Sequence, residues 1–214
     1  SDDLAADVDA AWATLNAGYD QGLIVEQMVA FDRELSVLAV RSERGEVACY
    51  PLVENEHADG ILHRSRAPAP NLSADLQADA ADFAATLLSE LDYVGLLAVE
   101  LFEVGGALIA NEMAPRVHNS GHWTIEGSEC SQFENHLRAV HGLPLGSTRM
   151  AVGGYATMVN LIGAMPPRAG ALSLPGVHVH DYGKAPRPRR KLGHATVVGA
   201  ERAAVDQLAA RILA

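Results

Sequence analysis

Residues 111–124, NEMAPRVHNSGHWT, hold the densest set of reactive side chains in this 214-residue chain. An acid (Glu112), a fixed cation (Arg116), two imidazoles (His118, His122), an amide (Asn119) and a hydroxyl (Ser120) follow one another closely. Pro115 and Gly121 punctuate the run, so an irregular loop is expected rather than a helix. Burying so many polar groups without partners is costly, which excludes a packed core. A merely solvated face would favour Lys and Glu over His, Asn, Ser and Trp together. The remaining reading is a functional loop held by a scaffold, where catalytic groups concentrate.

The scaffold begins immediately upstream. Residues 94–104 (VGLLAVELFEV) and 107–112 (ALIANE) are apolar enough to be buried strands, and Gly105-Gly106 reads as the turn between them. Each strand carries one acid in an apolar setting, Glu100 and Glu112, and a carboxylate there costs several kcal/mol unless a cation compensates it. Two carboxylates meeting across a hairpin suit Mg²⁺, which takes oxygen ligands and leaves places for substrate phosphates; pairing of each Glu with an Arg is the alternative. Register decides. A two-residue turn would set Glu100 opposite Asn111 and send Glu112 to the other face. A shared cation therefore predicts a three-residue loop, Gly105-Gly106-Ala107, or a bulge with the same effect.

A second feature stands out against the composition. The chain has a formal net charge of −11, yet five of its sixteen basic residues lie between Lys184 and Lys191, and these two are its only lysines. Pro186 and Pro188 hold that segment, YGKAPRPRRK, extended. A solvated basic loop is the ordinary reading of such a run. The other is a pocket for one small phosphate group, with Lys as a point charge and Arg as a fork. The acidic balance argues against nucleic acid as a partner. No apolar run approaches the roughly 18 residues of a membrane span, and no leader opens the chain at Ser1, so neither a membrane nor secretion is indicated. Cys49 and Cys130 are too few and isolated for a disulfide framework or a zinc site.

AVELF, then NEMAPRVHNSGHWT, then SQFENHLRAVHGLPLG, in that order, closely resemble the N5-carboxyaminoimidazole ribonucleotide synthetases, an ATP-grasp family of purine biosynthesis. The resemblance runs over residues 23–194. It implies an α+β fold, an ATP-grasp domain of antiparallel sheets with flanking helices over residues 23–150, and a small β-rich module over 151–214. Residues 1–22 would be the remnant of a central subdomain. The implied activity is carboxylation of 5-aminoimidazole ribonucleotide by ATP and bicarbonate through carboxyphosphate, with Mg²⁺, or Mn²⁺ in its place, as the metal. Also implied are a cytoplasmic location and a homodimer.

Residue by residue, the resemblance gives Glu100 and Glu112 to the metal. Arg116, His118 and Asn119 fall to the carboxyl-transfer chemistry, His118 as a proton acceptor with an ordinary pKa near 6.5. The backbone of Glu26, Gln27 and Val29 is implied to meet adenine on a linker strand, with Glu34 on the ribose hydroxyls and His57 nearby. Lys184, Arg190 and Lys191 would take the ribonucleotide's phosphate, which predicts that the basic segment folds back toward Arg116 and His118. Where Arg189 stands, the family usually has Gly. Two parts of the family pattern are not found, an upstream dinucleotide-fold-like domain and a Gly-rich loop containing lysine, so a C-terminal portion, inactive alone, is expected. Gly18 to Gly22 reads as a turn rather than that loop. Another ATP-grasp carboxylate-amine ligase or carboxylase, or a non-enzymatic nucleotide-binding module, are the competing readings.

The remaining elements are scaffold. Helices are predicted over residues 2–15, 73–91 (with Ser73 as N-cap) and 131–140, and His136 and Arg138 of the last read as structural. Strands are predicted over 23–29, 34–41, 153–162, 177–182 and 195–198.

Overall fold

The computed structural model describes residues 4–15, 23–151 and 154–213. Two units are distinguished, Ser1–Ala30 and Phe31–Ala214. In the first, α1 is Leu4–Leu15. The predicted turn at Gly18 to Gly22 and the first residues of the predicted helix lie outside the described residues.

The second unit runs β1 (Arg33–Arg41), β2 (Val47–Cys49), β3 (Val53–Ala58), β4 (Ile61–Ala67), α2 (Ala74–Glu90), β5 (Gly95–Val104) and β6 (Ala107–Ala114). A 3₁₀ turn (Asn119–Gly121), α3 (Thr124–Gly127) and α4 (Gln132–Val140) follow. The chain then forms β7 (Tyr155–Ile162), α5 (Arg168–Leu172), β8 (Val177–Asp181), β9 (Lys191–Gly199) and α6 (Arg202–Ile212). The strands form one nine-stranded sheet in the order β6-β5-β1-β3-β4-β7-β9-β8, with β2 beside β1. Its ladders are antiparallel throughout. The β4–β7 ladder crosses the boundary drawn from the sequence at residue 150.

β1 and β5 are apolar on both faces because both faces are covered. Leu35, Val37 and Ala39 of β1, with Leu97, Val99 and Leu101 of β5, pack on Leu76, Ala80, Ala84 and Leu88 of α2. Those α2 residues recur every fourth position, one face of a helix that starts where Ser73 Oγ accepts the Leu76 N–H. The alternate residues, Leu38, Val40, Leu96 and Ala98, face Trp123 and Ala139 instead. Period two then fixes the functional face: Glu100 continues the Leu96–Ala98 row, with Ser36 of β1 as its ladder partner. Farther along the sheet, Ala156 and Met158 of β7 share the Trp123 face, and Asn160 continues their row. On the reverse face α6 packs Val205, Ala209 and Ile212 onto Val159, Leu161, Ala195 and Val197.

Three expectations need correction. Residues 23–29 form no strand: among the described residues no ladder includes them, and Ile24, Val25 and Met28 are 87%, 85% and 92% exposed. Apolar composition supplies strand propensity, but a strand exists only with a paired edge. β9 starts at Lys191, not at residue 195, because its early residues pair with both neighbours, Ile162↔Lys191 on β7 and Asp181↔Gly193 on β8. β6 runs on to Ala114, so the irregular stretch begins after residue 114 rather than at 111.

Candidate active site

The hairpin settles the geometry of the two acids. Val104 faces Ala107 across a two-residue turn, with Gly105 and Gly106 at φ +57° and +83°, a conformation open to glycine. The expected three-residue loop is therefore not what forms. The register instead shifts within the ladder: Leu101 pairs with Ala110 and Glu100 with Glu112, leaving Asn111 as the extra residue of a bulge. That one residue returns Glu112 to the face of Glu100.

His118 comes to the same place from the loop. Its Nε2 lies 3.6 Å from Glu100 Oε1, and ligand atoms of Glu100, Glu112 and His118 all fall within 4.8 Å of one another. Among the described residues no arginine forms an ion pair with either acid, so the simpler pairing reading does not hold. Two carboxylates match the oxygen donors that Mg²⁺ prefers, and the imidazole extends the set toward Mn²⁺. The three line a cavity of 380 Å³ together with Glu34, His57, Asn111, Asn119 and Lys191. His57 stands on β3, and its Nδ1 is 2.8 Å from Glu34 Oε2.

Electrostatics follow from crowding charge on a half-buried floor. Burial pushes the Glu100 carboxyl above its ordinary range; Glu112 and Glu34 add to this, while His57 and Lys191 oppose it. Burial pulls the Lys191 ammonium below its ordinary range, with Glu100 acting against the shift. For His118, burial and then the charges of Arg116, Lys191 and His57 bring the pKa down to about 4. The expectation of an ordinary imidazole near 6.5 is thereby corrected: His118 is neutral at pH 7, and its contact with Glu100 is not an ion pair. His118 Nδ1 accepts the Ser120 N–H at 3.4 Å and lies 2.9 Å from Ser120 Oγ, which favours the tautomer with its proton on Nε2.

The loop is held by residues the motif reading passed over. Gln132, first residue of α4 and fully buried, accepts the His118 N–H at 3.0 Å and donates to the His118 carbonyl at 2.7 Å and to His122 Nδ1 at 3.0 Å. Asn160 Nδ2 donates to Asn119 Oδ1 at 2.6 Å, and Asn119 Nδ2 to Asn160 Oδ1 at 3.0 Å. A lone amide in the apolar run YATMVNLI was the available signal, since a buried amide must find partners. Asn111 gives no such sign, because a bulge depends on pairing between strands. His136 accepts the Leu96 N–H at 3.0 Å and Arg138 pairs with Glu134, so both are structural as expected.

The basic segment divides. Lys191 reaches the cavity, where its Nζ donates to Asn119 Oδ1 at 2.8 Å. Lys184 stands over the Tyr182 ring, 4.9 Å from its centroid, and Arg190 donates to the Ala185 carbonyl within the loop. The segment thus meets the functional loop through Lys191. Arg116 is exposed, outside the cavity lining, and its Nη1 donates to the Val117 carbonyl at 3.1 Å. Arg189 holds φ +62°, a region costly to a side chain with a Cβ and open to Gly. It also donates to the Asp59 carbonyl at 2.7 Å. Arg189→Gly and Arg189→Ala both lose that bond, so the strain alone separates them. The Gly variant should be more stable by about 1 kcal/mol in urea unfolding; equal midpoints would mean the turn carries no strain.

An antiparallel sheet presenting two acids beside a polar loop is the arrangement of the ATP-grasp class. The ATP-grasp domain model matches residues 4–133, and that of the phosphoribosylaminoimidazole carboxylase C-terminal domain matches residues 156–208. The N5-carboxyaminoimidazole ribonucleotide synthase of Pseudomonas aeruginosa is 53% identical over 207 residues, 97% of this chain and 55% of that protein. The crystal structure of the Thermus thermophilus synthetase superposes with a TM-score of 0.87 at 57% identity, covering 95% of this chain and 56% of that one. The Aspergillus clavatus synthase in complex with ADP and 5-aminoimidazole ribonucleotide gives 0.86 at 34% identity, over 96% and 56%. The chain belongs to the ATP-grasp family and, within it, is similar over most of its length to the C-terminal half of N5-carboxyaminoimidazole ribonucleotide synthases. It spans about half the length of the curated relatives it matches.

Proposed function

We propose that the full-length protein carboxylates the exocyclic amine of 5-aminoimidazole ribonucleotide, using ATP and bicarbonate, to give N5-carboxyaminoimidazole ribonucleotide, ADP and phosphate. The observation that carries this reading is the convergence of Glu100, Glu112 and His118 within 4.8 Å in a cavity shared with Lys191. Glu100 and Glu112 would hold Mg²⁺, which when bound neutralises developing charge on the ATP phosphates. Glu34, oriented by His57, would take the ribose hydroxyls, and the backbone of Glu26, Gln27 and Val29 the adenine. Bicarbonate would be phosphorylated to carboxyphosphate beside Lys191, Asn119 and His118. Neutral His118 would accept the amine proton at Nε2 only in its other tautomer, released from the Ser120 N–H, and with anionic neighbours present to stabilise the resulting imidazolium. Arg116 would reach the transferring group by leaving its Val117 contact.

Lys184 and Arg190 would bind the ribonucleotide's phosphate, with Lys191 between that site and the carboxyl-transfer pocket. A homodimer and a cytoplasmic location belong to the same reading. No helix among the described residues is long and apolar enough to cross a membrane. The test is ADP release by the full-length protein with each substrate omitted in turn. Dependence on both bicarbonate and the ribonucleotide supports the reading, and release unchanged without the ribonucleotide points to another acceptor and sinks it. Lys184→Ala should weaken ribonucleotide binding about tenfold by calorimetry and leave ATP within twofold. An equal loss for both ligands would reduce the segment to a solvated turn.

A further inference from the structure

Between the functional loop and the basic segment lies a continuous array of rings that none of the roles above uses. Phe133 of α4 stacks on His122 at 5.5 Å and 29°. His122 lies 4.9 Å from His194, and His194 stacks on its ladder partner His180 at 4.4 Å and 15°. The row of imidazoles is tied at both ends: His122 to Gln132, and His180 Nε2 to Glu126 Oε1 at 2.6 Å. Tyr182 enters from the side, edge-on to His122 at 6.5 Å, with its hydroxyl 2.8 Å from His194 Nδ1. None of these rings lines the cavity of the two acids.

The array ends on a cation. One residue beyond Tyr182, Gly183 takes φ +65° and donates its N–H to Asp181 Oδ1 at 2.8 Å. The chain reverses there, and Lys184 Nζ comes to lie over the Tyr182 ring, 4.9 Å from its centroid. A lysine is a compact charge on a long flexible stem, so its usefulness to an anion depends on what restricts it. An aromatic face attracts the ammonium without neutralising it, as a carboxylate would.

We infer that Tyr182, packed against His122 and His194, is a positioning residue whose ring face seats the Lys184 ammonium for the phosphate monoester of the substrate. The inference rests on the phosphate role given to Lys184 under the proposed function. The ring face does the seating; packing against His122 and His194 holds the ring, and the hydroxyl contact with His194 adds less.

The test uses the full-length protein with lysine carrying ¹³C at the ε-position, Lys184 being assigned through Lys184→Arg. In the unmodified protein the ε-methylene protons of Lys184 should be shifted upfield by the ring current. Tyr182→Phe should retain that shift and Tyr182→Leu should abolish it. Tyr182→Leu should raise KM for 5-aminoimidazole ribonucleotide about three- to tenfold, with kcat and the KM for ATP within twofold. Tyr182→Phe should cost less than threefold, and Tyr182→Trp should recover most of what leucine loses. A ring-current shift absent from the unmodified protein, a leucine variant within twofold for the ribonucleotide, or a phenylalanine variant as impaired as leucine would each overturn it. If the unmodified protein does not bind the ribonucleotide at all, the functional reading falls. The seating is then judged by the ring-current series and by the dissociation constant for ribose 5-phosphate, which Tyr182→Leu should raise and Tyr182→Phe should not.

Discussion

Glu100→Gln in the full-length protein should lower turnover by about two to three powers of ten while raising the thermal midpoint of the metal-free protein. Both effects come from one charge. The carboxylate sits opposite Glu112 across the ladder, with its side chain 15% exposed, and burial is the first cause that raises its pKa. A carboxyl whose folded pKa lies above its unfolded value favours the native state only when protonated. That contribution is present below the unfolded pKa and is lost as pH rises, so at pH 7 the ionised group is a net cost to folding. An amide of the same shape removes the cost. It also removes half of the anionic pair proposed to hold Mg²⁺, and charge stabilisation of that kind is worth several kcal/mol of barrier. Glu103→Gln serves as the contrast. Glu103 lies three residues along the same strand but accepts from Arg33 Nε at 2.5 Å, so its amide variant should lower the midpoint. The measurements are steady-state turnover across a Mg²⁺ titration and calorimetric melting without metal. Turnover within threefold of the parent, or a lowered midpoint for Glu100→Gln, would remove both the metal role and the electrostatic account.

Such opposed effects fit how much of this site was legible in the sequence. Local chemistry was readable: the Ser73 cap, the Gly105-Gly106 turn and the acids embedded in apolar strands each report on neighbours a few residues away. The demand that Glu100 and Glu112 share a face was readable too, because period two makes register a yes-or-no question. The device that meets it, a bulge at Asn111, was offered only as an alternative to a longer loop. Bulges arise from the fit between strands, and Asn111 carries no mark of one. The strand expected over residues 23–29 failed for the same class of reason: pairing is not a property of the segment itself. Gln132 is unremarked in its own element, and Asn160, a lone amide in an apolar run, shows only that it needs a partner; which partner appears only when the loop of His118 arrives beside them. The pKa of His118 was misjudged because burial, the first cause of its shift, follows from the fold and not from the motif; of the charges that add to it, Arg116 is near in sequence and Lys191 and His57 are not.

The ring array should make the protein labile to acid in a defined window. Burial, then the charges of His118, Lys191 and His180, lowers the His122 pKa to about 4. Burial, then His122 and His180, lowers that of His194 to about 3. Around them stand Glu126 on His180, Gln132 on His122 and Tyr182 on His194, the phenol raised to about 12 by burial and thus uncharged throughout. Among the described residues no carboxylate pairs with His122 or His194, so neither ring gains a partner by charging. The sign follows from linkage: a histidine with its folded pKa below the unfolded value near 6.5 costs nothing above pH 7. As pH falls through 6.5 the unfolded chain binds protons that the folded chain refuses, and stability drops until the folded pKa values are reached. Between pH 6.5 and about 4.5 each ring should cost about 2 kcal/mol, and the two together a large share of the 5–15 kcal/mol typical of a domain. Urea unfolding at half-unit pH intervals should show stability falling with a slope approaching about 4 kcal/mol per pH unit between pH 6 and 5, about 1.36 for each of the two rings and as much again for His118, whose pKa is likewise lowered to about 4. His194→Gln, which keeps a hydrogen-bonding group for Tyr182, should remove about a third of that slope whatever it does to stability at pH 7.5. A flat profile from pH 7 to 5, or a slope indifferent to His194→Gln, would mean that the rings accept protons in place, and that burial does not hold this array neutral.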